Sequence, residues 1–253
     1  MPRTARKKSF TNTYHIVVKG NDRQIIFEEK ADFQEYLHIL ELYKKECHFK
    51  LFAYCLMSNH VHLIIQTTDT PLDIIFRKIN TRYASWFNTK YQRSGHVQDG
   101  RFHSEPIENI NYLRNAIRYI HNNPVKAGLE QAPGLSYQWS SIHEYKSGTI
   151  RLVDTAFIYS LFSCREIMDS DNLQGEDHFI DIDNLRVRLT DDEAAEILKR
   201  KCSCSNVADF SAFPLVTRNE YLRKLHDSGL SIRQLNRITG VSRGVIQKVI
   251  TNN

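Results

Sequence analysis

Residues 60–66 read His-Val-His-Leu-Ile-Ile-Gln, and this run constrains the chain more than any other. Side chains on a strand alternate between its two faces. A strand here therefore places Val61, Leu63 and Ile65 on one face, which suits a core, and His60, His62, Ile64 and Gln66 on the other. Residues two apart on one strand face lie roughly 6 to 7 Å apart. Two imidazoles so placed can share one ion at about 2.0 to 2.2 Å per bond. The pair is half of a metal site. The same pattern also occurs on strands with no metal role, so the rest of the chain has to supply further ligands.

The flanking segments give the run its setting. Phe49 to Met57 is apolar enough for a strand and leads through Ser58-Asn59 into the histidine strand as a tight antiparallel pair. Tyr14 to Lys19 forms an earlier strand, broken by Gly20-Asn21-Asp22. Asp32 is expected to cap a helix running to about Cys47, with Phe33, Tyr36, Leu37, Leu40 and Tyr43 or Lys44 at helical spacing. A second helix runs from Pro71 to about Tyr91, a strand from Arg101 to Ile107, and a third helix from about Asn111 to His121. The order predicts an α+β fold: a ferredoxin-like antiparallel sheet of the split βαβ type, covered by helices on one face. The segment from Gly134 to Phe162 is expected to wrap back onto this body.

Charge divides the chain further. The net charge of +5 over 253 residues allows a nucleic-acid partner without requiring one. Arg3, Arg6, Lys7 and Lys8 form a basic arm, and the stretch from Arg77 to Arg118 is also basic, with Arg101 and Arg118 expected to contact DNA phosphates. Negative charge gathers between Glu166 and Glu196. Three domains follow: residues 1–150 carrying the histidine strand, an acidic helical linker over 151–215, and a C-terminal all-α unit over 216–253.

That last unit is a predicted helix-turn-helix. Ser231 and Ser242 stand where N-caps are needed, Gly229 and Gly240 punctuate the helices, and the final helix presents Arg243, Gln247 and Lys248 toward duplex DNA. Gly244 within that helix opposes it by about 1 kcal/mol.

The chain has no apolar run of membrane-spanning length and no apolar segment behind its basic start, which predicts a cytoplasmic protein with no membrane partner. Its five cysteines are scattered and odd in number, against a disulfide framework or a zinc finger. Cys202-Ser-Cys204 has no second Cys/His pair near it to complete a soft-metal site.

A metal site that does chemistry needs a third ligand and a nucleophile, and the third helix offers both in Tyr119-Ile-His-Asn-Asn-Pro124. Tyr119 and Asn123, four apart, share a helical stripe at the edge of the face formed by Leu113, Ala116, Ile117 and Ile120. Pro124 is expected to end the helix and leave the Asn123 amide oxygen at a terminus, free to turn toward a metal. An ion held by two imidazoles and an amide oxygen keeps positions open for phosphate oxygens, and this mixed ligation suits Mn2+ at least as well as Mg2+. A phenol can attack a phosphodiester in line and hold the product as an ester. Tyr112, one heptad earlier on nearly the same stripe, is the rival nucleophile, and His121 points elsewhere on the helix.

The segments Tyr14-His-Ile-Val-Val-Lys-Gly-Asn, Ala53-Tyr-Cys-Leu-Met-Ser-Asn-His-Val-His-Leu, Gly100-Arg-Phe and Tyr119-Ile-His-Asn-Asn-Pro-Val-Lys-Ala-Gly128 resemble the single-tyrosine transposases of the HUH nuclease superfamily. Within it they are most similar to the REP-associated tyrosine transposases, over about residues 10 to 146. The resemblance implies a single-strand DNA endonuclease and strand transferase that depends on Mg2+ or Mn2+. In it His60 and His62 match the metal histidines, Tyr119 the nucleophile that forms a 5′-phosphotyrosine link, and Asn123 the third ligand, where many relatives carry Gln. It also implies hairpin or single-stranded DNA as partner and allows a homodimer. Two other readings compete: an inactive DNA-binding regulator that recognises hairpins, and a nickase of the replication-initiator type.

Overall fold

The computed structural model describes residues 6–149, 151–168, 189–204 and 206–251. Its sheet forms from the segments with strand periodicity: β1 (Thr13–Lys19), β2 (Lys50–Met57), β3 (His60–Gln66) and β4 (His103–Pro106). Their spatial order is β2-β3-β1-β4, and each neighbouring pair is antiparallel. Ser58-Asn59 makes the two-residue turn between β2 and β3, with Met57 opposite His60. β1 lies beside β3 with His15 opposite Ile64 and Val17 opposite His62. At the end of β1, Gly20 approaches the following turn so closely that a Cβ would lie 2.1 Å from the Gln24 carbonyl oxygen.

Both faces of β1, β2 and β3 are buried. Val61, Leu63, Ile65, Ile16 and Val18 on one face are closed off from solvent, and so are His15, His60, His62 and Ile64 on the other. The expectation of helices on one face alone is thereby corrected. Helices α1 (Lys30–Cys47) and α2 (Leu72–Lys90) pack on each other through Tyr36 and Tyr83, and α3 (Ile110–Lys126) brings Tyr119 against the histidine face. Burial of β2 and β3 on both faces explains why they are apolar almost throughout.

Two helix boundaries depart from the sequence reading. Glu29, not Asp32, is the N-cap of α1, and Asp32 is the third helical residue, returning a capping-box bond to Glu29 N–H. The Asp32 carboxylate also accepts from Glu28 N–H, Lys90 Nζ and Tyr91 Oη, which accounts for its complete burial. The second departure is at Pro124, where α3 does not stop but continues to Lys126. Proline removes the N–H that would bond the Ile120 carbonyl. Asn123 Nδ2 takes over that duty, donating to Ile120 O at 3.3 Å and to Tyr119 O at 3.0 Å.

After α3 the chain returns along β2, as expected. Trp139 O accepts Leu56 N–H, Ser141 exchanges bonds with Tyr54, and Asp154 does so with Leu51, so the outer edge of β2 is covered rather than left open. Trp139 stacks on Phe33 with ring centroids 4.6 Å apart. Two buried carboxylates brace this return: Glu130 accepts from the backbone N–H groups of Gly134, Leu135, Ser136 and Tyr137, and Glu144 from those of Arg151, Leu152 and Val153. Short helices α4 (Ile142–Ser147), α5 (Thr155–Leu161) and α6 (Cys164–Met168) follow, and Ile158, Phe162 and Ile167 belong to the same core as the sheet.

A second core begins at Leu189 and is built by α7 (Asp191–Cys202), α8 (Val207–Ser211), α9 (Leu215–Asp227), α10 (Ile232–Thr239) and α11 (Arg243–Thr251). The expected boundaries at 150/151 and 215/216 thus fall within cores, not between them. Residues 169–188 of the expected acidic linker lie outside the described residues. Ser231 caps α10 by accepting Gln234 N–H, in a full capping box. Gly240 ends it at φ 72°, with Val207 so close that a Cβ would lie 2.5 Å from its Cγ1. The two cores meet where Arg200 of α7 donates to the carbonyls of Gly128 and Leu129 just after α3. Among the described residues, no helix is long and apolar enough to cross a membrane.

Candidate active site

The strand and the third helix converge as their sequences imply. β3 holds His60 and His62 side by side, with ring centroids 4.9 Å apart, and α3 sets the Tyr119 ring 5.8 Å from that of His62. Asn123, one turn after Tyr119, joins them, and all four line one cleft of about 1540 Å³. Lys126 enters from the next turn, its Nζ 4.1 Å from the centre of the Tyr119 ring. Leu189 of the second core and Asp191, Gly229, Ser231, Arg233 and Gln234 from the segments around it also line the cleft.

Each histidine has one ring nitrogen engaged by the protein. His60 Nδ1 lies 2.8 Å from Asn59 Oδ1, and His62 Nδ1 lies 3.1 Å from His15 Nε2. Burial pushes His60 down to about 4, helped by the nearby Lys19 charge. Burial, with the neighbouring His60 and His15, likewise holds His62 well below the ordinary imidazole range. Both rings are therefore neutral at pH 7, the form that donates a lone pair to a metal. With its Nδ2 tied to α3 carbonyls, the Asn123 amide engages the helix through nitrogen and keeps its oxygen clear of those bonds.

The donor set fits a divalent cation. Two neutral imidazoles with their Nδ1 atoms engaged, and an amide held by its nitrogen, present two nitrogens and an oxygen to one cleft. Among the described residues, no group of three or more His, Cys, Asp or Glu side chains is placed to hold a metal.

The other predicted residues fare differently. Arg118, expected to contact DNA, is instead buried, its Nε donating to the Glu166 carbonyl and fastening α6 to α3. Arg101 is exposed. Arg243, Gln247 and Lys248 are exposed together on α11, and none of them lines the cleft. Tyr112 is committed to Glu105, to which its Oη donates at 2.5 Å, and it does not line the cleft either. His121 is buried against Ser141 Oγ at 2.9 Å. Cys202 and Cys204 are free, buried members of the second core.

Sequence reasoning missed three residues of this region: His15, Asn59 and Lys126. His15 and Asn59 stand within motifs that drew attention for other reasons. Lys126, seven residues after Tyr119, repeats its helical position, a signal that could have found it.

The site is thus a histidine pair on a four-stranded antiparallel sheet, faced by a helix bearing a tyrosine and an amide. Residues 8–123 match the family model described as "Transposase IS200 like". Over these residues the chain is similar to IS200-like transposases. Among solved structures, the chain is similar to a REP-associated tyrosine transposase bound to a REP hairpin, with a TM-score of 0.53 and 19% identity over 69% of this chain and 94% of that one. It also matches a putative transposase from Deinococcus radiodurans at a TM-score of 0.34 and 17% identity, over 48% of this chain and 97% of that one. No curated protein sequence matches the chain.

Proposed function

We propose that this protein is a single-stranded DNA endonuclease and strand transferase acting on hairpin DNA. The observation that carries the reading is the meeting of His60, His62, Tyr119 and Asn123 on one cleft. Tyr119 is the nucleophile. Its phenol oxygen gives up its proton and attacks the scissile phosphorus, the 3′-oxygen leaves and takes up a proton as a 3′-hydroxyl, and the 5′-phosphate stays on the tyrosine as an ester. A 3′-hydroxyl attacking that ester reverses the step and rejoins strands without an outside energy source. The Lys126 ammonium, over the Tyr119 ring, offsets negative charge that develops at this end of the site.

His60, His62 and Asn123 would hold a Mg2+ or Mn2+ ion, which when bound supplies Lewis-acid stabilisation of the phosphate oxygens. Asn59 and α3 orient these ligands. We read the sheet order, with α1 between β1 and β2 and α2 between β3 and β4, as the ferredoxin-like arrangement. The α10–α11 pair is a helix-turn-helix whose exposed Arg243, Gln247 and Lys248 read duplex DNA near the cleavage site. The similar REP-associated transposase, with its bound hairpin, supports the choice of hairpin substrate.

The test is cleavage of labelled single-stranded oligonucleotides, with and without a hairpin, drawn from the flanks of the protein's own gene. Cleavage should require Mn2+ or Mg2+, favour the hairpins and disappear in His60→Ala. Cleavage by His60→Ala at the wild-type rate would remove the metal assignment. Substituting Arg243 and Lys248 by Glu should weaken duplex binding and leave oligonucleotide cleavage intact.

A further inference from the structure

We propose that His15 on β1 is a positioning residue for the metal ligands: it holds His62 Nδ1 and so presents His62 Nε2 to the cation. The inference rests on the metal reading of His60, His62 and Asn123 given above.

His15 belongs to a motif that the catalytic chemistry leaves unused. It is fully buried in the sheet, opposite Ile64 of β3 and Glu105 of β4. Its Nε2 lies 3.1 Å from His62 Nδ1, and the two rings are nearly parallel at 23°, with centroids 5.4 Å apart. The Tyr119 ring stands edge-on to it at 6.0 Å, so His15 underlies both the ligand and the nucleophile.

The bond fixes which nitrogen carries the proton. A neutral imidazole that gives its Nε2 lone pair to a metal carries its hydrogen on Nδ1. His62 Nδ1–H then donates to His15 Nε2, and His15 must carry its own hydrogen on Nδ1. That atom is buried and has no hydrogen-bond partner among the described residues. A buried donor without a partner is costly, and an apolar side chain in its place would move that cost to His62, whose Nδ1 would lose its partner. The histidine at 15 therefore serves His62.

His60 shows the same logic on the other side. Its Nδ1 is held by Asn59 Oδ1 at 2.8 Å, leaving its Nε2 as the free nitrogen. Each histidine thus has its own orienting acceptor, one from the hairpin turn and one from the adjacent strand. Loss of such an outer partner commonly weakens metal binding 10- to 100-fold.

The experiment uses the full chain at pH 8 and measures Mn2+ affinity by calorimetry for wild type, His60→Ala, His15→Leu and His15→Gln, with a thermal melt of each. Wild type should bind and His60→Ala should not; if this pair behaves alike, the metal reading itself fails. Given that control, His15→Leu should bind Mn2+ about 10- to 100-fold more weakly, and His15→Gln, whose amide oxygen can accept from His62, should recover most of the loss. Wild-type affinity in a folded His15→Leu variant overturns the inference, as does equal loss in the Gln variant. Should His15→Leu not fold, histidine-ring 15N spectra of the wild-type chain with Mg2+ decide. They should show the His15 proton on Nδ1, and a proton on its Nε2 would overturn the proposal.

Discussion

The continuation of α3 through Pro124 makes Asn123, the proposed third metal ligand, answerable for a backbone carbonyl as well, and that duty can be measured alone. Pro124 removes the regular donor to Ile120 O, and Asn123 Nδ2 replaces it at 3.3 Å. Ile120 is fully buried, so no water stands in when the amide is lost. Asn123→Ala should therefore cost about 1 to 3 kcal/mol, the range for an unsatisfied buried polar group. Tyr119 O loses less, because the Asn123 backbone N–H is its ordinary helical donor. Pro124→Ala restores an N–H aimed at Ile120 O. In that background Asn123→Ala should cost about 1 kcal/mol less than in the wild-type chain. Urea unfolding followed by tryptophan fluorescence is the assay, since Trp86 and Trp139, the only two tryptophans, both pack on the sheet-bearing core. Contacting residues that share a partner couple by about 0.5 to 3 kcal/mol, and independent ones add within about 0.5 kcal/mol. Additivity of the two substitutions would refute the account of why the helix passes a proline.

Further outcomes follow from the same structure. Burial holds His15 and His60 near 4 and His121 near 3, all below their unfolded value of 6.5. As pH falls below 6.5 the unfolded chain takes up protons first, so stability present above 6.5 should be lost down to about pH 4 at about 1.4 kcal/mol per pH unit for each histidine. A urea midpoint of the metal-free protein that stays level from pH 7 to 5 contradicts this. Glu130→Gln removes the charge that four backbone N–H groups converge on, and should lower stability by about 1 to 3 kcal/mol in the same fluorescence assay. Gly20→Ala should destabilise the sheet-bearing core, because its Cβ would overlap the Gln24 carbonyl, and a neutral effect on the midpoint would show that the turn can yield.

Much of this fold is legible in sequence because strand and helix periods leave separate marks. The alternation of His60–Gln66 gave both the strand and its histidine face, and the i, i+4 spacing put Tyr119 and Asn123 on one stripe. What resisted reading depends on tertiary partners. Asp32 looks like an N-cap by residue type, but Glu29 takes that place while Asp32 is drawn inward by Lys90 and Tyr91. Pro124 looks like a stop, and only the side chain before it reveals how the helix survives. Arg118 looks like a phosphate contact, yet it is spent on Glu166, a carbonyl 48 residues away. His15 becomes visible as a partner of His62 only when the register of β1 on β3 is known.

The central claim is that Tyr119 carries the broken strand. The direct measurement is to trap wild-type protein on a labelled hairpin oligonucleotide with Mn2+, digest it, and locate the DNA-linked residue by mass spectrometry. The account predicts a phosphodiester link on Tyr119, absent when metal is chelated and absent in Tyr119→Phe. A link on Tyr112, or an undiminished adduct in Tyr119→Phe, would contradict it.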